Sequence, residues 1–203
     1  MSAFLGPIHH WMYEKIKRQE LLTQKILEAA RENPWMEELS EKVDATIGSF
    51  VPGNLEEIID ESNIHGWLSS QVDLVESRYA FVVAELVKRD QLKEALEVHY
   101  EDGKHAGDAI DVNSSCETLY NFIKDCLLDG MPCDGGVRLL TEEADEIVWM
   151  VDENVHSPFF AQGNEKSLYF QLRDAWLKGF VSGKKVLYTR LNEVTFRLQE
   201  MEE

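Results

Sequence analysis

Apolar residues recur along this chain mostly at intervals of three and four, so the pattern reads as a series of amphipathic helices. Leu5, Ile8, Met12, Ile16, Leu22, Ile26 and Ala30 predict a first helix over 7–32, with a soft middle to its stripe. Pro7 suits the first turn, where its missing N–H costs nothing, and Asn33-Pro34 supplies a stop. A shorter helix is expected over 34–50, ended by Pro52-Gly53-Asn54, then a turn or two over 55–61 before a break at 63–66. Leu68, Val72, Val75, Tyr79, Val82 and Leu86 form the clearest stripe of the N-terminal half. It continues through Leu92 and Leu96 to His99, with Asp90 as an interruption and Gly103 as the expected end. Ser114 as N-cap with Glu117 three residues on starts another helix, which buries Leu119, Phe122, Ile123, Cys126 and Leu127 and stops at Asp129-Gly130.

The pattern then changes. The runs 137–140 and 147–151 are rich in β-formers and flank an acidic segment, 141–146, which predicts a hairpin or two strands of a small sheet. Val155 through Phe160 would extend the second strand up to Gly163-Asn164. Beyond it, Leu168, Leu172, Trp176, Phe180, Gly183, Leu187, Leu191, Val194, Leu198 and Met201 hold a helical period and predict one long helix over 165–201. Gly179 and Gly183 lie on its packing side next to Trp176. Each Gly costs a helix interior about 1 kcal/mol relative to Ala, so bare backbone there implies close helix packing or room for a bound ligand. The expected fold is mainly α (α+β): a bundle of five to six helices with a small β hairpin inserted before the long C-terminal helix. One domain spans 1–203, with a helical part over 1–129, a hairpin and turn insertion over 130–163, and the C-terminal helix over 164–203.

Composition refines this picture where it bears on partners. An apolar content of 44% and five tryptophans exclude global disorder. No apolar run approaches the roughly 20 residues of a membrane helix, and the N-terminus lacks the form of a signal peptide, so a cytoplasmic protein without membrane partners is expected. A net charge of −18 opposes binding to phosphate backbones, so no nucleic-acid partner is expected. Between Glu97 and Glu153, fifteen carboxylates meet three basic residues, Lys104, Lys124 and Arg138, a local charge of −12.

The overlapping stretch from His99 to His156 holds the candidate chemistry, with three of six histidines and all three cysteines. If the hairpin folds back over the preceding helix, His99, His105 and His156 with Glu101 form a metal-ligand set suited to zinc or iron. Bundles of hemerythrin or ferritin type need repeated His/Glu pairs on several helices, and this chain lacks them. Cys126 fits an apolar helix face, whereas Cys133 lies in the turn Gly130–Gly136 and is expected to be accessible. Cys133 with His99 or His156 is the credible nucleophile–base pairing, and Glu153 or Glu101 could act on water.

Three functions follow as expectations. The first is binding of a small ligand or a metal ion in a pocket between the helical bundle and the hairpin, as a sensor, with Trp176, Gly179 and Gly183 as ligand contacts. The second is a metal-dependent or cysteine-based hydrolase built on the His99–His156 cluster. The third is an interaction module, a homodimer through the C-terminal helix.

Overall fold

A computed structural model describes residues 4–29, 33, 35–160 and 165–201. Among them are eight α-helices: α1 (Pro7–Ala29), α2 (Met36–Thr46), α3 (Leu55–Ile58), α4 (Ile64–Lys88), α5 (Leu92–Asp108), α6 (Cys116–Cys126), α7 (Glu153–His156) and α8 (Glu165–Phe180). Four strands, β1 (Val137–Glu142), β2 (Glu146–Val151), β3 (Val186–Arg190) and β4 (Thr195–Glu200), form one antiparallel sheet in the order β1-β2-β4-β3. The class is therefore mainly α with a small sheet, as the periodicity predicts. Pro34 and the Gly163-Asn164 turn lie outside the described residues.

The N-terminal helices follow their stripes. Met12, Tyr13, Ile16, Leu55, Leu68, Val72 and Val75 pack together as one apolar cluster, joined by Leu128 and Met131. A larger cluster runs from α2 and the C-terminal half of α4 through α5, α6 and α8 to the sheet. Asp90 separates α4 from α5 in the left-handed conformation, φ 59°.

Four expectations need correction. Gly103 does not end its helix: α5 runs on to Asp108, and Gly103 and Gly107 face α8. A Cβ on either would lie within contact distance of the backbone oxygen of Trp176 or Phe180, and one on Gly179 would meet the carbonyl of Tyr100. These glycines permit a close α5–α8 crossing. The N-cap of α6 is Ser115, whose hydroxyl accepts the N–H of Thr118, one residue later than expected. Residues 153–156 form a helical turn rather than an extension of β2, because the Asp152 carboxylate caps it by accepting the N–H of Asn154.

The largest correction is the C-terminal helix, which ends at Phe180. Gly183 sits in the following turn with φ 78°, and 186–200 form the β3–β4 hairpin. Val186, Phe196 and Leu198 are buried there, while Leu187, Leu191 and Met201 are exposed. Trp149 of β2 lies opposite Phe196 of β4, both fully buried, which puts these two strands at the centre of the sheet.

Candidate functional site

The turn after α6 leads directly into β1, and α1 lies across α6. Between them is a cavity of about 410 Å³, within the roughly 300–1,000 Å³ typical of small-molecule sites. Trp11 and Lys15 reach it from α1, four residues apart and so on one helix face. Glu117, Tyr120, Asn121 and Lys124 line it from α6, and Val137, Leu139 and Glu142 from β1. The turn adds Asp129 and Met131. The Trp11 indole N–H donates to the Asp125 carboxylate at 2.8 Å, which fixes the ring.

Lys15 is the unusual member. It is only 5% exposed, and its ammonium lies 4.3 Å from the centroid of the Trp11 ring, a cation–π contact. Among the described residues it has no hydrogen-bond or ion-pair partner. Burial lowers its pKa, opposed by the charge of Asp129 and reinforced by that of Arg173.

Behind Asp129 the core holds an ionic network. The Arg173 guanidinium grips the Asp129 carboxylate with two hydrogen bonds, at 2.7 and 3.2 Å. His156 lies between two carboxylates, Nδ1 at 3.3 Å from Glu76 and Nε2 at 3.4 Å from Asp129. Its ring stacks on Tyr169, centroids 3.7 Å apart, and the Tyr169 hydroxyl accepts from Arg173 at 3.2 Å. Burial works against charge on His156, but Glu76 and Asp129 outweigh it and raise its pKa. Burial likewise works against charge on Asp129, and Arg173 and His156 overcome it, leaving the carboxyl well below its usual range. With a carboxylate facing each ring nitrogen, His156 is an imidazolium donating twice.

His99 has the opposite character. Its Nδ1 lies 2.6 Å from the Ala95 carbonyl, which can only accept, so Nδ1 carries the proton. Nε2 then accepts the Tyr79 hydroxyl at 2.7 Å. Burial lowers its pKa to about 4, against the raising effects of the Ala95 carbonyl and Asp102. Tyr79, His99, Tyr169, Arg173 and Trp176 surround a second cavity of about 20 Å³, the size of a single water molecule.

The expected site residues are therefore dispersed. His99 is committed to Tyr79 and Ala95, His156 to Glu76 and Asp129, and His105 and Glu101 are exposed on α5. Among the described residues, no group of three or more His, Cys, Asp or Glu side chains is arranged to hold a metal ion. The zinc or iron site expected at His99, His105, His156 and Glu101 does not assemble, because each buried imidazole has both nitrogens engaged within the protein. Cys133 is exposed beside Asp134, and Glu153 is exposed on α7. Neither His99 nor His156 has a nitrogen free to act as its base. Cys126 is buried, and burial pushes its thiol up to about 11.

Trp176 stacks on Phe180 and donates its indole N–H to Asp102 at 2.8 Å. Gly179 abuts Tyr100, and Gly183 is an exposed turn residue, so the ligand gap expected between these two glycines is taken up by helix packing and chain reversal.

Compared with known protein families, curated proteins and solved structures, the chain matches none.

Proposed function

We propose that this protein binds a small organic molecule in the cavity between α1, α6 and the β1–β2 hairpin, acting as a binding or sensing protein. The observation that carries this reading is Lys15. The lysine is largely buried, and its ammonium, without an ion-pair partner among the described residues, is left open to whatever occupies the cavity that it lines. Trp11, Tyr120, Met131 and Leu139 give the cavity apolar walls, while Lys15 and Asn121 supply a few polar contacts, the usual make-up of a small-molecule site. The rigid ionic network behind Asp129 fixes the floor, which lowers the ordering cost of binding.

The test is a ligand-observed NMR screen of small aromatic and aliphatic fragments against the wild type and Leu139→Trp. Leu139 is 39% exposed on β1, so the larger ring can enter the cavity without disturbing the core. Binders that compete with one another and are lost in Leu139→Trp are expected. Binders that are indifferent to that substitution would overturn the reading.

A further inference from the structure

We infer that the ligand of this cavity is a small monoanion, a carboxylate on a flat apolar body, with its charged end at Lys15. This rests on the cavity being the binding site, and it adds the chemical class. The cavity floor and the network behind it hold buried acidic and basic side chains: Lys15, His156 and Arg173 against Glu76 and Asp129. Arg173 and His156 are both bonded to carboxylates, which leaves Lys15 as the cation of this group without an ion-pair partner. Asp129 does not neutralise it directly: its two oxygens bond Arg173 and His156, and it forms no ion pair with Lys15. An anion entering from the cavity would meet an ammonium that lines it on a largely buried side chain, where a charge-assisted hydrogen bond is worth more than at the open surface.

The surroundings limit that anion to one charge. Asp129 lies on the same floor, Asp125 holds the Trp11 indole nearby, and Glu117 and Glu142 line the same cavity, with Lys124 as the other cation lining it. A dianion such as a phosphate monoester would carry its second charge among these carboxylates, where repulsion opposes it. Trp11 and Tyr120 both line the cavity and supply aromatic surface, which favours an aromatic body, since aromatic pairs gain beyond simple burial.

The experiment compares benzoate with benzamide, its neutral counterpart of the same shape, and with phenyl phosphate, by NMR titration of the full chain followed at the Trp11 indole resonance. The wild type is expected to bind benzoate at least about tenfold more tightly than either of the others, equivalent to about 1.4 kcal/mol. In Lys15→Met the preference for benzoate over benzamide should be gone, with circular dichroism reporting an unaltered fold. Equal affinity for benzoate and benzamide in the wild type, or a preference that survives Lys15→Met, overturns the anion while leaving the cavity as a binding site. Tighter binding of phenyl phosphate overturns the restriction to one charge. Failure of all three to shift the Trp11 resonance, together with an empty fragment screen, overturns both readings.

Discussion

Lys15 and His99 are two buried bases that burial pushes the same way, and each makes a separate prediction. Because burial lowers the Lys15 pKa, the folded state holds its proton less tightly than the unfolded chain, and the residue costs stability below its ordinary pKa of 10.5. Lys15→Met keeps the stem and removes the ammonium, so denaturant unfolding near neutral pH should show a gain of about 1–2 kcal/mol. Lower stability in Lys15→Met would show that the Trp11 contact outweighs burial. For His99, the folded pKa of about 4 lies below the ordinary 6.5. Between those values the unfolded chain takes up a proton that the native state refuses, so acidification through that window costs on the order of 3 kcal/mol. In His99→Gln that dependence should vanish, and the stability gap between variant and wild type should narrow from pH 7 to pH 5 in paired melts. Both residues were legible in part. Lys15 sits three residues after Met12 and next to Ile16, on a stripe otherwise apolar, as do Glu76 on α4 and Arg173 on α8. A charged residue inside an apolar stripe is the signal that marks this site, whereas the histidine–cysteine density between His99 and His156 points away from it. Sequence proximity groups those residues, but the helical period sends His99 inward and His105 outward.

At the scale of elements, the α5–α8 crossing rests on small residues from both partners. Gly103 and Gly107 of one helix and Gly179 of the other leave no room for a methyl group, since the atoms that it would strike are backbone and cannot rotate away. Gly179→Ala should therefore force the helices apart and destabilise the fold by about 3 kcal/mol or more in chemical denaturation. Gly183→Ala should cost about 1–2 kcal/mol for a different reason: nothing crowds its Cβ, but its φ of 78° is unfavourable for any residue with a side chain. Equal effects at the two sites would contradict the separate origins. The sequence pairs these glycines as one feature of a continuous helix, and that pairing shows where pattern reading fails. Leu187, Leu191, Val194, Leu198 and Met201 keep a four-three spacing, yet the pleat of β4 buries Phe196 and Leu198 on its own alternation. A stripe of ten residues carried across a turn satisfies the helical period while the local β-formers Val186, Tyr188, Thr189, Thr195 and Phe196 do not. With that helix replaced by a hairpin, its use as a dimer surface loses its premise. The N-terminal stripes do fall on helices, and the interruption expected at Asp90 is there, in the left-handed conformation between α4 and α5.

For the whole molecule, the network of Glu76, Asp129, His156 and Arg173 ties α4, the turn after α6, α7 and α8 to one another through side chains that are almost completely buried. Arg173→Met removes one partner and leaves Asp129 without its bidentate grip, so a loss of about 3–5 kcal/mol is expected from equilibrium unfolding. The same network sets the response of stability to pH, and its signs can be taken group by group. Asp129 has a lowered folded pKa, so its contribution is complete above the ordinary 3.8 and disappears as pH falls through the folded value. His99 adds its own loss between 6.5 and about 4. His156 acts in the opposite sense: its folded pKa is raised, so its contribution is complete below the ordinary 6.5 and is lost as pH rises through the folded value. Acid therefore weakens the fold through His99 and Asp129, and base weakens it through His156, whose lost proton leaves Glu76 and Asp129 as buried carboxylates facing a neutral ring, while the cost of burying Lys15 is relieved only as pH climbs toward 10.5. Stability should peak near or just above 6.5, and melts across that range should decline on both sides. In His156→Gln the acid limb should persist and the alkaline limb should flatten, with the whole curve lowered. An alkaline limb that keeps its slope in His156→Gln would place the sensitive proton elsewhere and show that the two carboxylates hold their ring without needing its charge.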